Sequence, residues 1–480
     1  MTAPRLTRSN APRPATGIVH LGLGAFARAF VCPFVAEAMA ASGGDWGILG
    51  VSLQSARTRD ALAPQGWAYT AVTLGPDGSD ARMIEALTGV LVAPEDPQAV
   101  LAAMADPAVR IVSLTVTEKG YCHNPATGLL NPDHPDIAHD LMHPLPVSAP
   151  GFIVRALALR HRAGLAPFTV LTCDNLPENG RLVRAIVTDL ARRIDPALAD
   201  WIVANCRFPA TMVDRITPAT TSADIAMVER LTGHQDAAPV LHEPFRQWVI
   251  EDDFVAGARP DLGAVGAQLV GDVTAFEHMK LRMLNGTHSA LAYLGYLGGH
   301  ETIADTVADP AYAAFVQRLW AEIMPAVTAP PAVRLTDYAA ALATRYANPA
   351  IRHRTWQIAM DGSQKLPQRL LGTLTAALDA GRPAPGLCLV VAGWMRYVGG
   401  IDEAGRPIEV KDPLAARLRA VSDSAATPAG KVAALLGVTE VFPTALAPRL
   451  RAPVTQAAEL LWAQGARAAV ARLAGQSSAA

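Results

Sequence analysis

Ile18-Val19-His20-Leu21-Gly22-Leu23-Gly24-Ala25-Phe26-Ala27, followed by Arg28-Ala29-Phe30 and by Phe34-Val35-Ala36-Glu37-Ala38-Met39-Ala40, reads as strand, glycine turn and helix. Gly22-x-Gly24-x-x-Ala27 fits a fingerprint in which the first glycine makes the turn, the second lets a pyrophosphate approach, and a small third residue lets helix pack on strand. Its place between an apolar run and a helix favours a dinucleotide site. The acidic residue expected at the end of the next strand is missing, because Trp46 to Leu53 leads into Gln54-Ser55-Ala56-Arg57-Thr58-Arg59. Arg57 or Arg59 would suit a 2′-phosphate, so NAD and NADP both stay open.

Outward from that stretch, strands are expected over 46–53, 109–116 and 168–173, separated by helices over 97–104 and 181–193. Such alternation implies a mostly parallel, doubly wound sheet. From about Thr274 the pattern turns helical, with helices expected over 312–323, 338–346 and 454–473. The fold expected is α/β: a Rossmann-like, doubly wound N-terminal domain over 1–270 and a mostly α-helical C-terminal domain over 271–480.

The chain has 480 residues, 51% hydrophobic content and a formal net charge of −2. That is ample for two cores and gives no basic field for nucleic acid, so a small-molecule partner is expected. Five cysteines, Cys32, Cys122, Cys173, Cys206 and Cys388, lack the spacing of a zinc site or a disulfide framework. They read as free thiols in a reducing cytoplasm, with no metal. The N-terminal stretch has no signal-peptide core and no apolar run approaches a membrane span, so a cytoplasmic chain without a membrane partner is expected.

Glu277-His278-Met279-Lys280-Leu281-Arg282-Met283-Leu284-Asn285-Gly286-Thr287-His288 carries the chemistry. On a regular helix at about 100° per residue, with Lys280 at zero, Glu277 falls at about 60°, His288 at about 80° and Asn285 at about 140°, while Arg282 points away at about 200°. A lysine among Met279, Leu281 and Leu284 is a candidate general base, although a solvated charged face is the commoner use of such a pattern. Thr274-Ala275-Phe276-Glu277 has capping-box spacing, which is compatible with a proton-relay role for Glu277. Asn175, in Cys173-Asp174-Asn175-Leu176-Pro177-Glu178-Asn179-Gly180, and Thr117-Glu118-Lys119-Gly120-Tyr121 both follow strands, at the edge where open α/β sheets bind ligands. An Asx turn or a helix cap is the competing reading for such loops.

These segments together resemble the polyol-specific long-chain dehydrogenases, the mannitol 2-dehydrogenase and fructuronate reductase family, over nearly the whole chain. The resemblance is carried by G-L-G-A-F-A-R-A at 22–29, T-E-K-G-Y-C at 117–122, C-D-N-L-P-E-N-G at 173–180 and F-P-A-T-M-V-D-R-I-T-P at 208–218. It continues in E-P-F-R-Q-W-V-I-E-D at 243–252, M-K-L-R-M-L-N-G-T-H-S at 279–289 and D-G-S-Q-K-L-P-Q-R at 361–369. It implies a metal-independent active site between two domains, with Lys280 as general acid/base and Asn175 and Asn285 as donors to the developing alkoxide. His288 would hold a substrate hydroxyl and Glu277 would pass the proton to solvent. Asp214 and Lys365 are implied as substrate contacts, although Asp214 also has a possible partner in Arg215. Gly22, Gly24, Phe26, Ala27 and Arg28 are implied at the cofactor.

The family's loop usually reads F-H-R-A-H, whereas Phe26-Ala27-Arg28-Ala29-Phe30 lacks both histidines. Mannitol enzymes of the family carry arginine where this chain has Gln357, and close relatives keep arginine where it has Gln54. R-H-R-T-W-Q-I-A-M-D-G-S-Q-K-L-P-Q-R at 352–369 and G-W-M-R-Y-V-G-G at 393–400 are most similar to the fructuronate reductase (D-mannonate oxidoreductase) branch. The activity this implies is interconversion of D-mannonate and D-fructuronate with NAD(H), by a monomer or homodimer. Lys365, Arg352 and Arg369 are the cations nearest in sequence for a substrate carboxylate. The alternatives are a mannitol- or arabinitol-type polyol dehydrogenase, a tagaturonate reductase, or a nucleotide-binding sensor without turnover.

Overall fold

Five parallel strands, β1 (Thr16–Leu21), β2 (Gly47–Ser52), β3 (Leu87–Val92), β4 (Ile111–Leu114) and β5 (Thr169–Thr172), form one sheet in the order β3-β2-β1-β4-β5. The description comes from a computed structural model and covers residues 3–124 and 127–475. Because successive side chains alternate, Val19 and Leu21 face one layer with Val112, Leu114 and Val170, under helices that include Ala149–Arg162 and Asn179–Ile194. Ile18, Ile48, Ile111 and Leu171 face the other, with Phe30, Phe34 and Trp248. Both faces are therefore covered, as a parallel sheet requires. Each fully buried Ile, Leu or Phe contributes about 1.5–3 kcal/mol.

The strand order reverses beside β1, between β2 on one side and β4 on the other. At such a point the loops after adjacent strands diverge and leave a crevice at their carboxyl ends. Two small sheets flank the main one: Tyr69–Gly75 pairs antiparallel with Gly78–Ile84 and parallel with Val240–His242. Thr211–Asp214 pairs antiparallel with Gln247–Glu251, which runs parallel to Gln268–Val270.

The segment after the glycine turn is not one helix. It breaks at Phe30 (φ −126°, ψ −67°) into Ala25–Ala29 and Val31–Ser42. The Phe30 ring lies 5.1 Å from Phe26, 5.1 Å from Phe34 and 5.4 Å from Trp248. Ala25–Ser42 also qualifies the expectation that no run approaches membrane-span length, since its 18 residues average a hydropathy of 1.3. Half of them are buried inside the fold, where the core rather than lipid accounts for their apolarity.

The chain divides into two compact units, Met1–Thr274 and Ala275–Ala480. The second is helical, built on Gly286–Leu297, Pro310–Ile323, Leu335–Tyr346, Pro385–Val398 and Ala447–Gly475. Gly286–Leu297 and Pro385–Val398 are apolar around nearly their whole circumference and form its centre, with Leu294, Leu389 and Trp394 fully buried. The last helix is interrupted at Gly465 (φ 80°, ψ 167°), where the Glu403 carboxylate accepts the Ala466 amide at 2.7 Å.

Candidate active site

Gly22 adopts φ +86°, and a Cβ there would sit 2.3 Å from the Thr115 carbonyl oxygen, so only glycine makes this turn. Gly24 is different: the nearest atom to a Cβ built on it is the Gly22 oxygen at 3.9 Å, leaving open space on the face the fingerprint offers to a pyrophosphate. Helix Ala25–Ala29 begins after Gly24 with no side-chain cap, and Ala27 is completely buried against the sheet. These features fit a dinucleotide. The Arg28 guanidinium donates to the Ala238 carbonyl and lies 5.5 Å from the Tyr69 ring centroid, which gives it a structural task within the unit. At the end of β2, Gln54 and Arg57 are exposed, whereas Arg59 is engaged by Asp60 at 2.8 Å and by Glu95.

The loops after β4 and β5 are laced together by Asp174. Its carboxylate accepts the Val116 amide at 2.9 Å, the Thr117 amide at 3.0 Å and the Tyr121 hydroxyl at 2.7 Å. Burial pushes this carboxyl above its usual pKa, and the three donors oppose the shift. Asn175, next in the chain, is exposed. Asn179, by contrast, is a fully buried brace: it donates to the Thr211 carbonyl at 2.8 Å and accepts the Thr211 amide at 2.9 Å. A Cβ on Gly180 would come within 2.5 Å of the Phe208 oxygen. The two asparagines of C-D-N-L-P-E-N-G thus divide into one exposed and one structural.

The second unit holds the lysine. Thr274–Met279 is α-helical, but Lys280–Asn285 is a π-helix, in which the Gly286 amide reaches back to the Leu281 carbonyl. This corrects the regular-helix angles. An i→i+5 turn takes roughly 4.4 residues, so Asn285 comes about 50° from Lys280 instead of about 140°. Lys280, Asn285 and His288 are buried, with 8%, 8% and 6% of their surface exposed, and Glu277 is half-buried. Thr274 is the first helical residue rather than the cap, and its amide and hydroxyl both donate to Asp272, so the capping-box spacing is not used as one.

The His288 ring lies 4.8 Å from that of Tyr346 and 5.3 Å from that of His353. The Tyr346 hydroxyl donates to the Leu284 carbonyl at 3.0 Å, pinning the π-turn. Burial holds His288 well below its usual pKa, and His353, Arg345 and Arg369 push in the same direction. His353 is lowered to about 4 by burial, then by Lys365 and Arg369. Arg369, on a second π-helical turn over Pro367–Leu371, donates to Ser289 at 3.3 Å. Lys365 donates to the Met360 carbonyl at 2.6 Å and the Ile358 carbonyl at 3.4 Å.

Both units match known protein domains. Residues 16–263 match the mannitol dehydrogenase Rossmann domain and residues 272–462 the mannitol dehydrogenase C-terminal domain. The chain belongs to the mannitol dehydrogenase family. It is an oxidoreductase of that family, 47% identical over 95% of both chains to D-mannonate oxidoreductase of Escherichia coli. It is 48% identical, with 95% of both chains covered, to the uncharacterized oxidoreductase YdfI of the same organism. Among solved structures, Pseudomonas fluorescens mannitol 2-dehydrogenase, in a ternary complex with NAD and D-mannitol, superposes with a TM-score of 0.85 at 37% identity, covering 98% of this chain and 96% of that one.

Arg352 is exposed and faces Glu301 at 3.9 Å. Arg345, 7% exposed and outside the quoted motifs, and His353, within the segment at 352–369, both act on His288. Gln357 is exposed on the short helix Thr355–Ile358. Asp214 is buried at a strand end, while Arg215 turns to the Ala29 and Phe245 carbonyls at 2.7 and 3.3 Å. The expectation of no ligand cluster also fails in the fold, which brings ligand atoms of Cys122, His134 and Asp136 within 4.8 Å of one another. Spacing along the chain hid this. The Asp136 amide already uses His134 Nδ1 as its cap, and burial pushes the Cys122 thiol up to about 12. All five cysteines are unbonded and buried.

Proposed function

We propose that this oxidoreductase interconverts D-mannonate and D-fructuronate with NAD(H). The observation that carries the reading is the set of cations around a buried neutral histidine: Arg345, Arg369 and Lys365 act on His288 and His353, and they favour a substrate bearing a carboxylate. The likeness to a D-mannonate oxidoreductase supports it.

When bound, the nicotinamide exchanges a hydride with the substrate carbinol carbon. Lys280 takes the hydroxyl proton as the hydride leaves and returns it in the reverse direction. Asn285, brought to the same side as Lys280 by the π-turn, donates a hydrogen bond to the developing alkoxide, a role shared by Asn175. His288 holds a neighbouring substrate hydroxyl in its neutral form, and Glu277 carries the proton onward to solvent. Asp214 and Lys365 hold the rest of the substrate. Gly22, Gly24, Phe26 and Ala27 cradle the dinucleotide, with Arg28 bracing the loop from behind.

The test is kcat/KM for fructuronate, tagaturonate, fructose and the pentuloses with NADH and NADPH. Fructuronate should exceed fructose by well over about tenfold, because one charge-assisted hydrogen bond contributes roughly 1.5–3 kcal/mol. Equal turnover of fructose would favour a polyol dehydrogenase, the reading motivated by the D-mannitol held in the Pseudomonas relative. A chelator should leave the rate unchanged, since the proton carrier is a lysine; loss of activity restored by zinc would reject that chemistry.

A further inference from the structure

We infer that His20, Ser113 and Thr115 form a hydrogen-bond chain of fixed polarity that sets the Gly22 peptide, and thereby positions the nucleotide-binding turn. This rests on the reading of Gly22–Ala27 as the dinucleotide cradle.

His20 and Ser113 are register partners on β1 and β4, and both are buried on one face of the sheet. His20 Nδ1 lies 2.8 Å from Ser113 Oγ, and Nε2 lies 2.8 Å from Thr115 Oγ1. Thr115 Oγ1 donates its one proton to the Gly22 carbonyl at 2.7 Å. A hydroxyl that has given its proton away can only accept from its other neighbour. His20 Nε2 therefore carries the hydrogen, Nδ1 is the acceptor, and Ser113 must donate to it. Every proton in the row Ser113, His20, Thr115, Gly22 is assigned by that single donation. Burial holds His20 at about 4, the Gly22 carbonyl opposing slightly, so the neutral tautomer persists across the working range of pH.

The end of the chain matters because of what Gly22 does. Its amide donates to Val51 at 2.9 Å, and its carbonyl also accepts the Gly24 amide at 2.7 Å. The peptide is thus held on both sides in a left-handed turn. Tying the carbonyl back to the sheet keeps an electron-rich oxygen from swinging into the path of a phosphate and leaves the uncapped amides at the start of Ala25–Ala29 facing outward. His20 and Thr115 are positioning residues, and they touch neither substrate nor cofactor.

The test pairs Thr115→Val, which keeps the shape and removes the hydroxyl, with Thr115→Ser, which keeps the hydroxyl. NADH binding is read by fluorescence titration, alongside KM for NADH, kcat and thermal melting. Thr115→Val should raise the NADH Kd and KM by about fivefold or more, with kcat at saturation little changed, and Thr115→Ser should restore binding to within about twofold. Long-range proton–nitrogen NMR of the imidazole should show His20 protonated at Nε2. Unchanged NADH affinity in Thr115→Val, equal losses in both variants, or an Nδ1–H tautomer would overturn the inference. If Thr115→Val does not fold, the tautomer and the NADH affinity of Thr115→Ser decide it. Failure of the wild-type protein to bind any nicotinamide nucleotide would instead bring down the cradle reading.

Discussion

Lys280, the proposed proton carrier, is buried at the start of a π-turn, with Asn285 on the same side and His288 one turn beyond Asn285. Replacing it by alanine should lower kcat for mannonate oxidation by about 10²–10⁴-fold, the usual loss when a general base is removed, with nucleotide affinity nearly unchanged. A small amine added to Lys280→Ala should recover part of the rate by occupying the vacated space. Glu277→Ala should do less, slowing exchange with solvent while the hydride step stays competent. The deciding measurement is the pH profile of kcat/KM for oxidation, whose basic-group inflection should vanish in Lys280→Ala. His288 is held well below its usual value, so it does not supply that inflection at neutral pH. An inflection that survives the substitution would move the base elsewhere.

The π-turn is the element that a sequence reading could not find. Lys280-Leu281-Arg282-Met283-Leu284-Asn285 has no residue that forbids an α-helix, and apolar spacing cannot register one extra residue in a turn. The extra residue is retained by tertiary partners: Tyr346 on the Leu284 carbonyl, and Arg282 on the Ala326 carbonyl. Because a π-turn is an α-helix with one extra residue, deleting Leu281 should restore a regular helix with Asn285 four places after Lys280, about 40° from it against about 50° in the π-turn. We expect a helical protein of near-normal circular dichroism whose kcat stays within about tenfold of wild type, since the two side chains keep their mutual place. A loss of more than about a hundredfold would show that the π-turn has a catalytic consequence beyond the spacing of Lys280 and Asn285. The glycine turn, by contrast, was legible, because Gly22 and Gly24 answer to local sterics that the sequence states outright. Arg345 was not, since it reaches His288 only through the fold and lies in no quoted motif, and His353, though inside the segment at 352–369, was not singled out because its ring meets His288 only in the fold.

At the scale of the molecule, alternating apolar runs and helices were enough to foresee the parallel sheet, because most of its strands read as continuous apolar stretches, whereas Leu87–Val92, interrupted by Thr88 and Gly89, was not foreseen. The flanking sheets escaped notice because strands such as Val240–His242 are too short to show a period. What neither unit's sequence announced is how many histidines each keeps neutral. His20 and His242 in the first unit and His353 in the second are each lowered to about 4, and His288 in the second is also lowered, burial being the first cause in every case. A folded-state pKa below the unfolded value means that the unfolded chain binds more protons once the pH falls below about 6.5. Stability conferred by these groups is therefore whole above that pH and drains away as pH falls toward 4. Each histidine held at about 4 removes up to about 3 kcal/mol over that interval, an order-of-magnitude figure. Asp174 and Glu322, whose carboxyls are raised by burial, act in the opposite sense. Thermal melting measured between pH 7.5 and about pH 5, above the range of ordinary carboxylates, should fall steeply, and the fall should involve both units because each holds two of these histidines. His20→Gln and His353→Gln should each flatten the slope of unfolding free energy against pH while lowering stability at pH 7.5. A melting temperature independent of pH over that window would mean that these rings titrate normally in the folded protein.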